Sequence, residues 1–456
     1  MPDALVGLDV GTTGVKGVAV DAAGGVLATA EEHYPLSTPK PGWAEQDPED
    51  WWQASQRVLA QLPEGPVGLS GQMHGLVVLG ARDEVLRPAI LWNDQRTGAE
   101  CAEIERRIGL ERLIALTGNR ALPGFTAPKL LWLERHEPDV HARIRHILLP
   151  KDFVRFRLTG ERTIDAADAS GTLLFDVARR RWSDEVCAAL DVPLEWLPSE
   201  HESTEVGTAG DQAAGALGVG IVAPGALSVV LGTSGVVFAV LPAYEPDAHA
   251  RVHVFCHAVP GTWHAMGVML SAAGSLSWLR GVVGAEYGAL DAEAERWEPG
   301  VEGLLFAPYL AGERTPHADP DARGAFTGLS LRHDRGALAR ATLEGVAFGL
   351  RDSLELLRKL GVAATVGRVS GGGARSELWI RITASVLQLP LERMQLEEGA
   401  AYGAALLAGV RAGVFVDAAD AVERCVRVRD RIDPEWDYEE HYERFRLLYP
   451  TLKELQ

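Results

Sequence analysis

A glycine- and threonine-rich turn is the first place in this chain that could do chemistry. Residues 11–14 separate two short apolar runs, 5–10 and 15–20, and this arrangement is typical of a β-hairpin. The backbone amides of such a turn form a concavity that suits phosphate. Asp9 lies within the first apolar run, where it either holds a divalent cation beside that phosphate or is an ordinary solvated residue.

The other half of the chain contains a second copy of this turn. Residues 231–236 repeat the pattern between apolar runs at 227–231 and 236–241, and Val230 stands where Asp9 stood. Two phosphate-binding hairpins, one in each half, indicate a duplicated domain with a nucleotide held between the copies.

A third glycine-rich segment, Gly371-Gly372-Gly373, follows a predicted strand at 366–369 and precedes a predicted helix. A strand that ends in a glycine run and opens a helix is a common nucleotide contact, because the helix N-terminus faces the ligand. Neither a G-x-x-x-x-G-K-[ST] loop nor a G-x-G-x-x-G fingerprint occurs, which disfavours the P-loop and Rossmann classes.

Together these features resemble the actin-like ATPase superfamily, whose two ribonuclease H-like domains each offer a phosphate hairpin. Further motifs narrow the resemblance to the FGGY carbohydrate kinases. Residues 124–136 fit one family motif, and residues 324–329 with 338–344 fit another. Ala337 departs from the second motif, because a helix-capping polar residue is usual there. The resemblance covers residues 5–413 and implies an α/β fold of two domains with a catalytic cleft between them.

Asp211 is the strongest candidate for a catalytic residue. Residues 210–215 match the family segment Gly-Asp-(Gln or Asn)-Ala-Ala-Gly position by position. The resemblance implies that Asp211 is the general base for a sugar hydroxyl that attacks the γ-phosphate. A carboxylate of ordinary basicity suffices, because the transition state of phosphoryl transfer is loose. A helix N-cap is the structural alternative, and the two roles are compatible.

Two segments, 71–75 and 42–48, resemble the xylulokinase branch of the family. By this resemblance Met73 and His74 contact a ketopentose, with the His ring donating a hydrogen bond, and Gln212 joins Asp211 at the substrate. The implied reaction is ATP-dependent phosphorylation of D-xylulose to D-xylulose 5-phosphate in D-xylose catabolism. Asp94 and Arg96 either line the pocket or form an internal ion pair.

The implied cofactors are ATP and Mg²⁺, with Asp9 as the metal ligand and a catalytic residue beside Asp211. The residues expected to contact the nucleotide are Gly11, Thr12, Thr13, Gly232, Thr233, Ser234, Gly372 and Gly373.

Other functions are alternatives to this one. The same fold serves kinases of ribulose or glycerol, and it serves sugar-responsive regulators without turnover. Such regulators usually carry an extra DNA-binding helix pair, which this sequence lacks. An actin-like or chaperone ATPase would need neither a sugar pocket nor a base such as Asp211.

Composition sets outer limits on the class of protein. The chain has 456 residues, 47% of them hydrophobic and 23% charged, and this length suggests two domains of ~200 residues each. The net charge of −19 argues against binding nucleic acid or an anionic membrane. Four scattered cysteines and no signal peptide favour a cytoplasmic location. Partners are expected to be a small sugar and ATP, and a homodimer is left open.

The elements that must position these residues follow from the apolar patterns. We expect domains at 1–222 and 223–456, with a break at Pro224-Gly225. Three antiparallel strands should open the chain, followed by a helix with Asp47 as its cap. Loops are expected at 150–153 and 165–175, and a solvated helix at the end of the tail.

Overall fold

The computed structural model describes residues 2–396 and 398–455 of the chain. Its first sheet has five strands, and the first three in the chain are antiparallel neighbours, as expected. Two further strands then add in parallel on the other side of the first strand. In spatial order the strands are Thr208–Gly210, Val67–Gly71, Leu5–Val10, Gly14–Val20 and Val26–His33.

The second sheet repeats this plan with one extra strand at each edge. A hairpin and a third antiparallel strand are again followed by two parallel strands. In spatial order the strands are His253–Cys256, Trp263–Met269, Gly235–Leu241, Ala226–Leu231, Val366–Ser370, Leu391–Met394 and Val428–Ile432. The duplication inferred from the two glycine-threonine turns is therefore visible in strand order.

The register of the two sheets supports the same equivalence. Asp9 pairs with Ser70 of the neighbouring parallel strand, and Val230 pairs with Ser370 in the second sheet. The two turns thus occupy equivalent places at the ends of equivalent strands.

Helices pack around both sheets. In the first half they are Pro48–Leu59, Gly98–Ile108, Leu110–Thr117, Thr126–His136, Pro138–His141, Pro150–Thr159, Ala166–Ala169, Asp184–Ala189, Ser203–Val206 and Asp211–Gly218. In the second half they are Ala273–Val283, Tyr287–Ala294, Arg335–Lys359, Glu377–Leu387, Gly399–Arg411, Ala418–Cys425, Glu439–Arg446 and Leu448–Lys453. Short 3-10 turns are Ser170–Thr172, Leu194–Trp196, Val301–Gly303 and Gly372–Arg375. Minor strands are Glu45–Gln46, Val77–Leu79, Ala89–Ile90, His146–Leu148, Thr163–Asp165, Phe175–Asp176, Arg181–Trp182, Ser199–His201, Leu305–Ala307 and Ala325–Thr327.

Asp47 caps the first helix as predicted, accepting a hydrogen bond from the Glu49 amide. The long helix of the second half begins with an equivalent cap. Asp334 accepts from the amide of Ala337, the residue that departs from the family motif. A different residue therefore supplies the capping group.

The helix Gly399–Arg411 comes from the second half of the chain but packs on the first sheet. Its residues share one apolar core with Leu5 and Val18. The backbones approach so closely that a side chain on Gly7 or Gly68 would collide with a carbonyl of this helix. The chain therefore crosses between the two sheets near this helix as well as near residues 222–225. The predicted domain boundary near residues 222–225 stays a prediction.

Two expectations about local structure are wrong. Residues 150–153 are the first turn of the helix Pro150–Thr159, because a proline at the first helical position starts a helix. The segment 165–175 contains a short helix and a 3-10 turn as well as loop. The tail does end in helices, but Tyr438 and Phe445 are buried in the core of the second half.

Candidate active site

A cavity of ≈ 500 Å³ lies between the two halves, and six of the thirteen expected site residues line it, whereas Gly11, Thr12, Thr13 and Thr233 do not. From the first half come Asp9, Asp211 and Gln212, and from the second half come Gly232, Ser234 and Gly372. Residues of the crossing helix also reach it, including Gly399 and Tyr402.

The turn at residues 11–14 is held by side chains that bind its carbonyl groups. Gln46 Nε2 donates to the Thr12 carbonyl at 2.7 Å, and Gln72 Nε2 donates to the Gly11 carbonyl at 3.2 Å. The Tyr34 hydroxyl also donates to the Gly11 carbonyl. In a trans peptide the N–H points away from the preceding carbonyl. The N–H groups of Thr12 and Thr13 therefore point the other way, and neither donates to any described residue.

The orientation of both glutamine amides is determined by their partners. Gln46 Oε1 accepts from the Trp51 indole and from Gln72 Nε2, each at 3.0 Å. Gln72 Oε1 accepts from the Thr12 hydroxyl at 3.3 Å. Each donor thus meets an acceptor, so the network has one consistent arrangement.

In the second turn, backbone amides rather than side chains hold the carbonyl groups. The Ala273 amide donates to the Gly232 carbonyl at 2.8 Å, and the Ala272 and Gly274 amides donate to the Thr233 carbonyl at 2.9 and 3.1 Å. The N–H groups of Thr233 and Ser234 consequently point away from this helix start. Both turns therefore offer free amides of the kind that bind phosphate.

Among the residues that the structure describes, Asp9 is a carboxylate without a cationic partner of its own. Ser70 Oγ donates to its Oδ1 at 3.0 Å. Lys16 lies opposite in the hairpin but pairs with Glu398 at 2.8 Å. Burial raises the pKa of Asp9, against the lowering effects of Ser70 and Lys16. Beside two sets of free backbone amides, such a carboxylate fits Mg²⁺, which needs only one or two protein carboxylates and keeps several waters.

Asp211 is the first residue of the helix Asp211–Gly218, and Gly210 occupies the cap position without a side-chain bond. The N-cap alternative for Asp211 is therefore wrong. Burial, and then the charge of Asp9, raises the pKa of Asp211 to about 7, while hydrogen bonds from Gln212 lower it. A carboxylate titrating near neutral pH has the basicity expected of a general base.

The Met73-His74 loop leaves the sheet beside Asp211. Gly71 and Gly210 are paired on neighbouring parallel strands, so their next residues emerge side by side. Met73 is buried, and its side chain lies against Gly210. Met73 and His74 lie outside the lining of the main cavity.

The His74 ring is held in one tautomer. Its Nδ1 lies 2.6 Å from the Gly171 carbonyl, which only accepts, so Nδ1 carries the proton. Burial lowers the pKa of His74 to about 3, against the raising effect of that hydrogen bond. A neutral ring protonated at Nδ1 has an unprotonated Nε2, which accepts hydrogen bonds. The expected donation from the ring to a sugar hydroxyl is therefore revised to acceptance.

The remaining sequence candidates divide between the cavity and the scaffold. Gly372 faces open space on the cavity wall, whereas Gly373 is packed against Leu231 and Trp379. The helix predicted after this segment begins at Glu377, with Ser376 as its cap. A 3-10 turn, Gly372–Arg375, lies between the strand and this helix.

Asp94 and Arg96 form an internal ion pair, at 2.6 Å between Asp94 Oδ2 and Arg96 Nη2. Glu45 also pairs with Arg96, at 2.8 Å, and the guanidinium lies over the Trp43 ring. The segment 42–48 is therefore scaffold, and it contacts the turn at residues 11–14 through Gln46.

Sequence analysis missed Arg375, which lines the cavity just after the glycine run. Its only sequence signal is a lone cation following three glycines. The crossing helix, with Gly399 and Tyr402, was also missed, because nothing local shows that it packs on the other sheet.

Two sheets of one plan, with two amide-bearing turns and two carboxylates at a shared cleft, define a nucleotide-dependent phosphotransferase of the actin-like, ribonuclease H-like fold. Comparison with known proteins agrees. The N-terminal domain model of the FGGY family of carbohydrate kinases matches residues 4–241, and the C-terminal domain model matches residues 227–412. The chain belongs to the FGGY family of carbohydrate kinases, and it is a kinase that uses ATP.

Individual relatives are similar over nearly the whole length. The xylulose kinase of Escherichia coli K12 is 43% identical over 436 residues, covering 89% of this chain and 90% of that protein. The crystal structure of a "xyloylose kinase" from Brucella ovis has a TM-score of 0.94 at 42% identity, covering 99% of this chain and 100% of that one. The xylulose kinase structure from Rhodospirillum rubrum has a TM-score of 0.91 at 33% identity, covering 99% of both. In the part of the chain that the structure describes, no helix is long and apolar enough to span a membrane.

Proposed function

We propose that this protein transfers the γ-phosphoryl group of ATP to O5 of D-xylulose, giving D-xylulose 5-phosphate and ADP. The observation that carries the proposal is the pairing of Gly71 with Gly210. It sets the Met73-His74 loop beside Asp211, which lines the cavity together with Gly232 and Ser234 of the second turn. Relatives named xylulose kinase, at 43% and 42% identity, support the choice of sugar.

Each residue has a part in this reaction. The amides of residues 12–13 and 233–234 bind the phosphates, and Asp211 accepts the proton of the attacking O5 hydroxyl. The O5–phosphorus bond forms as the bond from phosphorus to the β-phosphate oxygen breaks. Gln212 positions Asp211 and contributes to the sugar pocket, and Gly372 lies against the nucleotide.

Asp9 would hold Mg²⁺, directly or through water. When bound, Mg²⁺ supplies positive charge that neutralises the phosphates. The raised pKa of Asp9 and its lack of a cationic partner among the described residues support this assignment.

In this proposal, Nε2 of His74 accepts a hydrogen bond from a hydroxyl group of the sugar. A site built to pair each hydroxyl disfavours a sugar that leaves one buried group unpaired, by ~1–3 kcal/mol. D-ribulose, with one hydroxyl inverted, should lose roughly one to two decades of kcat/KM by this arithmetic.

A cytoplasmic location is also part of this proposal. All four cysteines are buried and free, which accords with a reducing cytoplasm.

The test is kcat/KM for D-xylulose, D-ribulose, L-ribulose and glycerol, measured side by side. D-xylulose should be preferred, and His74→Ala should lose much of the discrimination against D-ribulose. A clear preference for any of the other three sugars contradicts the proposal. ADP release that does not depend on any sugar would favour the ATPase alternative instead.

A further inference from the structure

A buried cluster of four charged residues lies outside the cavity and has no part in the reaction described so far. Lys151 Nζ lies 2.5 Å from Asp152, 2.8 Å from Asp165 and 2.9 Å from Asp168. All four side chains are fully buried. The ammonium group therefore already occupies the centre that a metal ion would need among these three carboxylates.

Of the three aspartates, Asp165 has the most complete set of hydrogen bonds. It caps the helix Ala166–Ala169 by accepting from the Asp168 amide at 2.9 Å. The Thr208 hydroxyl donates to its Oδ2 at 2.9 Å. The Lys151–Asp165 pair thus ties this short helix to the strand Thr208–Gly210, which leads directly into Asp211.

The aspartates at 152 and 168 are less well satisfied. Burial raises the pKa of each, against the lowering effect of Lys151. Lys151 is the cation that makes the burial of these carboxylates tolerable.

The cluster packs against the ends of the strands that lead to the Met73-His74 loop and to Asp211. A Cβ atom on Gly71 would lie 3.1 Å from Lys151 Cβ, and one on Gly210 would lie 3.3 Å from Asp168 Oδ1. These two glycines end the strands that lead to the Met73-His74 loop and to Asp211.

The short helix Ala166–Ala169 also determines the position of the His74 ring. It runs into the 3-10 turn Ser170–Thr172, whose Gly171 carbonyl accepts the Nδ1 proton of His74. The space between them is tight, because a Cβ on Gly171 would lie 2.5 Å from His74 Nδ1. A small shift of this turn would therefore move the ring or free its Nδ1 proton.

We propose that Lys151 and Asp165 are positioning residues for the sugar site. By holding the segment 165–172 against the strand ends, they place the Gly171 carbonyl that keeps His74 a neutral acceptor at Nε2. The inference rests on the proposed function in that His74 reads a sugar hydroxyl, whichever ketose that sugar is.

Asp165→Asn is the cleanest test, because Asn caps a helix about as well as Asp but does not carry the charge that pairs with Lys151. We expect KM for the preferred ketose to rise roughly ten- to hundredfold, as for one buried polar group left unpaired. The KM for ATP should stay within about twofold, and discrimination against the epimer should fall. Lys151→Met should act in the same direction and more strongly.

Glu344→Gln is the matched control. Glu344 and Arg340 form a similarly buried pair, 2.7 Å apart, in the second half of the chain. This variant should lose thermal stability while its sugar KM and epimer discrimination stay as in the parent.

The possible results distinguish a positioning role for the cluster from a purely structural one. If Asp165→Asn loses stability as Glu344→Gln does but keeps the parent's sugar KM and discrimination, the cluster is structural only and the inference is wrong. Should Lys151→Met fail to fold, the Asp165→Asn result decides alone. A parent enzyme that prefers another ketose would overturn the proposed substrate, and the same comparison would then be made with that ketose.

Discussion

Replacing Asp211 by asparagine should slow phosphoryl transfer by orders of magnitude and, at neutral to alkaline pH, make the protein more stable. The Asp211 carboxyl group lies in the cavity wall, and burial followed by the charge of Asp9 raises its pKa from 3.8 to about 7. Between those two pH values the unfolded chain has lost the proton that the folded chain keeps. Folding stability therefore declines as the pH rises through this window, and the penalty is complete above pH 7.

The magnitude follows from the shift. Roughly three pKa units at 1.36 kcal/mol each amount to ~4 kcal/mol of destabilisation at pH 8, and almost none of it is present below pH 4. Asparagine is never ionised and has nearly the same shape, so it removes this penalty. Because asparagine accepts no proton, turnover should fall by ~10²–10⁴, the range typical of general-base loss.

Thermal unfolding of parent and Asp211→Asn at pH 5 and pH 8 would measure the effect, with EDTA present so that no metal sits at Asp9. The variant's advantage should be clearly larger at pH 8. Asp94→Asn is the control of opposite sign, because it breaks the buried pair with Arg96 and should destabilise the protein. A Tm gain for Asp211→Asn that is equal at both pH values would refute the raised pKa, and near-parental activity would refute the base.

Three further predictions follow from the cavity. Asp9→Ala should abolish transfer without unfolding the protein, as circular dichroism and activity assays together would show; retained Mg²⁺-dependent turnover would remove Asp9 from the reaction. Gln46→Glu places a carboxylate oxygen where Nε2 now donates to the Thr12 carbonyl, so KM for ATP should rise by roughly tenfold or more. An unchanged KM for ATP would show that the turn at residues 11–14 does not depend on the Gln46 side chain. Closure about the crossing at residues 222–225 should exclude water from the site, so solution scattering should show a more compact protein with sugar and a nucleotide analogue, and identical curves would count against it.

Local sequence patterns identify the candidate turns and carboxylates, whose roles in the site stay predictions. The glycine-threonine turns, Asp9 within an apolar strand and the segment around Asp211 all have patterns that a reader can see. Strand order in the two sheets confirms the duplication that those turns indicated.

What could not be predicted are contacts between residues far apart in the chain. Gln46 and Gln72 are separated by 26 positions and meet behind a turn at residues 11–14. No spacing rule links them, because their contact depends on how three strands and a helix assemble.

Two errors came from local rules with more than one outcome. A proline at residue 150 is compatible with the loop that we expected there and also with the first position of a helix, which is where the structure places it. Asp211 was given a cap as its alternative role because it precedes small residues, whereas Gly210 occupies that position. In both cases the composition was compatible with two structures, and tertiary packing decided between them.

The central claim is that the two halves of this chain transfer phosphoryl from ATP to a ketose with Asp211 as the base. Phosphorus-31 NMR of the parent enzyme with ATP, Mg²⁺ and D-xylulose tests it most directly. The account predicts ADP and a sugar 5-phosphate in equal amounts, with little inorganic phosphate, and no such signals from Asp211→Asn over the same time. Inorganic phosphate released at the same rate with or without sugar, or a phosphate ester at another position of the ketose, would contradict it.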